Sequence, residues 1–87
     1  MSTIPPVFTL LSKPDCHLCH EMESVVVPVL RERGATLVVK DVRDDPQTDR
    51  RWGREIPVLL FGDREVARHR VSAAELRARL EEIEGVV

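Results

Sequence analysis

Short apolar, β-favouring runs alternate along this chain with longer stretches in which apolar residues recur every three or four positions. Val7 to Leu11 is the first run, and Pro5-Pro6 in front of it cannot donate to a ladder, so a short buried strand is expected to begin just after the prolines. Ser12-Lys13-Pro14-Asp15 is turn chemistry. Beyond it Leu18, Met22, Val25, Val26, Val29 and Leu30 form the stripe of an amphipathic helix, with Gly34 as its C-terminal stop. Pro28 lies inside that helix, where it removes the hydrogen bond to Ser24 and predicts a bend, at a cost of about 3 kcal/mol if nothing compensates. Thr36 to Val42 is β-branched and apolar, a second strand that a right-handed crossover would set parallel to the first.

The second half follows the same alternation. Asp44-Asp45-Pro46 has the acid cap and early proline of a helix start, for a short helix running to Trp52 and ended by Gly53. Pro57 to Phe61 reads as a third strand, and Gly62-Asp63 as a two-residue hairpin turn leading into an antiparallel fourth strand from Arg64 to His69. Ser72-Ala73-Ala74-Glu75 is a capping box, followed by Leu76, Leu80 and Ile83 on one face of a last helix expected to end at Gly85. The predicted class is α/β, a four-stranded mixed sheet with helices on both faces in the order β-α-β-α-β-β-α. With no repeat, low-complexity segment or linker, residues 1–87 read as a single domain.

Composition narrows the partners. At 43% hydrophobic and 32% charged, the chain has the make-up of a soluble globule, and a net charge of -2 without a basic run gives no surface for tracking phosphates, so no nucleic acid is expected. The N-terminus lacks the cationic flank and apolar stretch of a signal peptide, and no apolar run is long enough to span a bilayer. No membrane partner is expected, and the predicted location is cytoplasmic. Both cysteines lie in one motif, which leaves none for a structural framework; a reducing compartment would keep them as thiols between reaction cycles.

That motif is Cys16-His17-Leu18-Cys19-His20, a pattern compatible with covalent haem, with zinc and with dithiol redox exchange. Its context separates the three. Haem attachment calls for an apolar, aromatic-lined pocket and a further axial ligand, and the chain has three aromatic residues, with Met22 one turn away on the same helix. Zinc needs four ligands, and outside the motif the chain offers only His69; two chains could still contribute both cysteines each to a zinc or an iron-sulfur cluster at a dimer interface. Dithiol exchange needs only what is present. Cys16 at the start of a helix would be exposed at its positive end, with Cys19 one turn inside. The free N–H groups of the first turn, with Lys13 and protonated His17 nearby, would stabilise a thiolate on Cys16 and move its pKa from about 8.5 toward neutrality. Cys16 is then the nucleophile and Cys19 the resolving thiol, with no cofactor or metal required.

The other conspicuous residues have plainer readings. His17 reads as a solvated neighbour that tunes the thiolate, and His20 and His69 as surface side chains. Trp52 is expected to pack the second helix on the sheet, with substrate contact as its alternative. The run Arg50-Arg51-Trp52-Gly53-Arg54 is expected to be a solvated face, with recognition of an anionic ligand as its alternative.

Lys13-Pro14-Asp15-Cys16-His17-Leu18-Cys19 after a strand, and Trp52-Gly53-Arg54-Glu55-Ile56-Pro57-Val58-Leu59-Leu60 before a hairpin, resemble the glutaredoxin-like branch of the thioredoxin-fold superfamily over nearly the whole chain. The resemblance implies a thioredoxin-like fold and a thiol-disulfide oxidoreductase. It further implies a cis bond before Pro57, packed against the cysteines, so that the backbone of Ile56 can pair with an extended substrate like an added strand. The implied partners are a disulfide-containing protein or a glutathione mixed disulfide, with glutathione or a reductase as electron donor. Two departures stand out. His17 and Leu18 replace the proline and aromatic residue of glutaredoxins, and Arg68-His69-Arg70-Val71-Ser72 replaces the Gly-Gly pair and acid that grip glutathione, which leaves half of that clamp missing although Lys13 and Ile56 match the rest. The competing expectation is a non-catalytic binding module, or a dimer carrying a metal or cluster, built on the same thiols.

Overall fold

The computed structural model describes residues 5–86, with the side chains of the last helix described as far as Ile83. Its elements follow the expected order: β1 (Val7–Ser12), α1 (His17–Glu32), β2 (Thr36–Asp41), a 3-10 turn (Val42–Asp44), α2 (Pro46–Trp52), β3 (Val58–Phe61), β4 (Arg64–Arg68) and α3 (Ala73–Val86). The sheet order is β2-β1-β3-β4. β1 runs parallel to β2 and antiparallel to β3, and β4 runs antiparallel to β3, which makes the four-stranded sheet mixed.

Alternation along the strands decides which face each side chain joins. Phe8 and Leu10 of β1 and Leu59 of β3 meet Met22, Val26, Val29 and Leu30 of α1 and Leu76, Leu80 and Ile83 of α3 in one core. Leu10, Val26, Leu59 and Leu76 are fully excluded from water. This burial is what holds α1 together, because Val25-Val26-Val27-Pro28 is poor helix sequence. The helix continues without interruption past Pro28 to Glu32. It closes where Gly34 takes a φ of 67°, with Gly34 N–H donating to Arg31 O at 3.1 Å and Ala35 N–H to Leu30 O at 2.9 Å, the paired bonds of a Schellman motif. α3 opens on the expected capping box: Glu75 N–H donates to Ser72 Oγ at 3.1 Å, and Ser72 N–H to Glu75 Oε1 at 3.2 Å.

Across the other face of the sheet lies α2, capped by Asp45, whose carboxylate accepts from Gln47 N–H and Thr48 Oγ1. None of its residues is buried. The helix leaves an open groove of about 660 Å³, lined among others by Thr9, Leu11, Lys40, Trp52, Leu60 and Asp63.

Four boundaries depart from the expectation. β2 stops at Asp41, whose carboxylate accepts the Arg43 N–H and turns the chain so that Val42 is buried at the start of the 3-10 turn. β3 starts at Val58 rather than at Pro57, which has no N–H to give to a ladder. β4 ends at Arg68, because His69 takes a left-handed φ of 64°. α3 runs past Gly85 to Val86. The hairpin itself matches the sequence: Gly62 has φ 62° and Asp63 is not in the left-handed region, which is the type II′ arrangement.

Candidate functional site

β1 and α1 meet through a turn in which Pro14 follows Lys13 and the Cys16 N–H donates back to the Lys13 carbonyl at 3.2 Å. Cys16 is the N-cap of α1, with extended backbone. Its Sγ accepts the Cys19 N–H at 3.1 Å, so the sulfur sits where a capping oxygen usually does. No acidic residue occupies the first turn to offset the positive end of the helix. The two cysteines are bonded to each other, with Cα atoms 5.2 Å apart. They are not equivalent: Cys16 is partly exposed, and Cys19 is completely buried.

Ile56 and Pro57 come to the same end of the sheet. Leu11 pairs with Val58 across antiparallel strands, so the chain beyond Leu11 leads into the cysteine turn while the chain before Val58 leads back to Pro57 and Ile56. The Ile56–Pro57 peptide is cis; Pro57 is fully buried and Ile56 half-buried. The Pro57 carbonyl accepts the His69 N–H at 2.8 Å. Among the described residues, neither the N–H nor the carbonyl of Ile56 has a hydrogen-bond partner.

The two residues expected to tune the thiolate are both exposed, and each has a carboxylate in its surroundings. His17 Nε2 lies 3.2 Å from Glu21 Oε1, one turn along α1. Lys13 adds its field to Asp41, whose carboxyl is lowered to about 2, chiefly by the hydrogen-bonded Arg43 guanidinium. His20 and His69 are on the surface, as expected, but His69 is engaged with Glu55 at 2.9 Å. Trp52 is half-buried at the edge of the α2 groove, with the Arg51 guanidinium 4.8 Å and that of Arg68 5.9 Å from its ring centre. The groove itself does not reach Cys16, Cys19, Ile56 or Pro57. Among the described residues, no three His, Cys, Asp or Glu side chains gather in a metal-ligating cluster.

Residues 7–81 match the Glutaredoxin-like domain (DUF836) family. The chain belongs to that family. Among solved structures, this glutaredoxin-like domain is similar to a structural-genomics target protein from X. campestris, with a TM-score of 0.72 and 28% identity over 86% of this chain and 96% of the other. Thioredoxin 1 from the thermophilic eubacterium Thermosipho africanus TCF52B superposes with a TM-score of 0.65 at 16% identity, covering 92% of this chain and 96% of the other, and shares the fold. A malarial protein shows the same fold likeness, with a TM-score of 0.64 at 17% identity over 91% of this chain and 97% of the other. No curated protein matches the chain.

The resemblance implies that Pro57 packs against the cysteines, but Glu55, Glu65 and Arg68, which are linked by hydrogen bonds through Arg68 next to Ile56, are not among the expected site residues. Arg68 donates to Glu65 through Nε at 2.8 Å and Nη2 at 2.6 Å, and to Glu55 through Nη1 at 3.2 Å. In a regular strand, residues three apart face opposite sides. A register shift between Leu59 and Leu60 inserts an extra residue in β4, which buries Val66 and Ala67 in succession and brings Glu65 and Arg68 to one face. The one sequence signal for this was the adjacent apolar pair Val66-Ala67, flanked on both sides by charged residues in a strand where alternation would be expected.

No helix among the described residues is long and apolar enough to cross a membrane.

Proposed function

We propose that this glutaredoxin-like domain is a thiol-disulfide oxidoreductase of the reducing cytoplasm. The observation that carries the reading is the asymmetry of the cysteine pair: a partly exposed Cys16 at the N-terminus of α1, its sulfur on the Cys19 N–H, bonded to a fully buried Cys19. In the reduced protein the same N–H and the helix dipole favour a Cys16 thiolate, with Lys13 and, when protonated, His17 adding positive charge. That thiolate attacks one sulfur of a substrate disulfide, forms a Cys16–substrate disulfide and expels the other substrate sulfur as a thiolate. Cys19 then gives up its proton, attacks the Cys16 sulfur and releases the second substrate thiolate. The substrate has gained two electrons and the protein has become the Cys16–Cys19 disulfide. An external thiol, glutathione or a reductase dithiol, returns two electrons to close the cycle.

Substrate docking in this reading uses the unpartnered backbone of Ile56 beside Pro57, where an extended peptide carrying the disulfide adds as a short strand. The substrate is a disulfide-containing protein or a glutathione mixed disulfide. The test is the rate at which Cys16 of the reduced protein alkylates as a function of pH. We expect a midpoint well below the value of about 8.5 for an ordinary thiol. A midpoint at or above that value overturns the reading.

A further inference from the structure

The end of β4 holds a conformation that the cysteine chemistry does not require. Arg70 N–H donates to the Arg68 carbonyl at 2.7 Å around His69, whose φ is 64°. A bond between residues i and i+2 about a positive φ is the strained form of the γ-turn. Glycine adopts such backbone freely, so a histidine at this point directs attention to what its side chain does.

His69 is fastened twice to the segment that leads into β3. Its N–H donates to the Pro57 carbonyl at 2.8 Å, and its Nε2 lies 2.9 Å from Glu55 Oε2. Ile56, whose own backbone groups have no partner, sits between the two attachment points. Glu55 is held from a second side, since Arg68 Nη1 reaches the same Oε2 at 3.2 Å. Arg68 is in turn fixed by its two bonds to Glu65 and by the neighbouring Trp52 ring. An isolated surface ion pair contributes little to stability, so the arrangement is better explained by geometry than by energy.

We propose that Glu55 and His69 are positioning residues that clasp the Ile56–Pro57 segment and hold the Ile56 backbone in the form that pairs with a substrate. The proposal rests on the oxidoreductase reading for the identity of what docks there: an extended peptide bearing a disulfide. Truncating either partner frees the loop, and substrate pairing then has to order a segment that the clasp otherwise holds ready.

Two variants separate the side chain from the turn. His69→Gly keeps the left-handed backbone and deletes the contact, while Glu55→Ala deletes it from the other side. Each is expected to raise KM for a disulfide-bearing peptide about five- to tenfold, the size of one charge-assisted hydrogen bond partly exposed to water, with kcat and the Cys16 alkylation rate unchanged. The double variant should be no worse than Glu55→Ala alone, because Glu55→Ala already removes the contact that His69→Gly deletes, together with the Arg68 contact. Glu55→Gln, which keeps an acceptor oxygen, should stay near wild-type KM. Independently of any substrate, hydrogen exchange at the His69 amide should accelerate about tenfold in Glu55→Ala. Unchanged KM and unchanged exchange overturn the clasp, as does an equal fall in Cys16 alkylation, which would make the effect a general disturbance of the site. A wild-type protein that reduces no disulfide would sink the oxidoreductase reading, and the exchange measurement would still decide the clasp.

Discussion

Pro28→Ala should make the protein more stable, by an amount that follows from where Pro28 sits. The residue lies in the interior of α1 and is exposed, so its ring contributes little packing that alanine would lose. Proline in a helix interior is about 3 kcal/mol less favourable than alanine, because the bond to the carbonyl four residues earlier is missing and the ring crowds that carbonyl. Against this, proline restricts the unfolded chain, which returns about 0.4–1 kcal/mol to the wild type. The expected gain is therefore about 2 kcal/mol, or a rise in Tm of about 8–16 °C for a domain of this size. Urea denaturation followed by circular dichroism reads it as a higher midpoint with an unchanged slope. Pro28 is twelve residues along α1 from Cys16, about 18 Å at the helical rise, so the Cys16 alkylation rate should not move. A midpoint that stays the same or falls would refute the reasoning, and would mean that the backbone around Pro28 has already absorbed the lost bond.

Other consequences concern the caps and the charges. Ser72→Ala removes one half of the α3 capping box and should cost about 1 kcal/mol in the same denaturation experiment, with Ser72→Gly milder. Asp41 should titrate at about 2 by NMR rather than at its ordinary 3.8, and Arg43→Ala should bring it back up. Because the folded value lies below the unfolded one, the stabilisation from this carboxylate is present above 3.8 and is lost as the pH falls toward 2; an Asp41 that titrates normally would contradict it.

The parts of the fold that local chemistry specifies could be read from the chain: the hairpin at Gly62, the caps at Asp45 and Ser72, the Schellman glycine at Gly34, and the order of strands and helices. The cysteine motif was legible for the same reason, since a turn with Pro14 between an apolar strand and an amphipathic stripe places Cys16 at a helix start. What escaped depends on contacts between distant residues. The extra residue in β4 exists because both Val66 and Ala67 find room in the core, and a strand pattern alone does not show which of two neighbours slips. The turn at His69 is likewise fixed from outside, by Pro57 and Glu55, in a residue whose own preferences oppose it. Trp52 was expected to pack α2 on the sheet and does stand half-buried in the groove between them, but the two guanidinium groups that share its ring could not be read from the chain. β2 lies at an edge of the sheet, so Val38 and Val39 remain 39% and 47% exposed despite an apolar run suited to a buried strand.

The central claim is a division of labour between two sulfurs, and intact-mass analysis of a Cys19→Ser variant tests it most directly. Mixed with a disulfide peptide, the reduced variant should stop at a covalent adduct one half-disulfide heavier, attached at Cys16, because no resolving thiol can release it. Wild type under the same conditions should pass through to its own Cys16–Cys19 disulfide and leave the peptide reduced. A Cys19→Ser protein that forms no adduct, or one that carries it anywhere other than Cys16, would contradict the account.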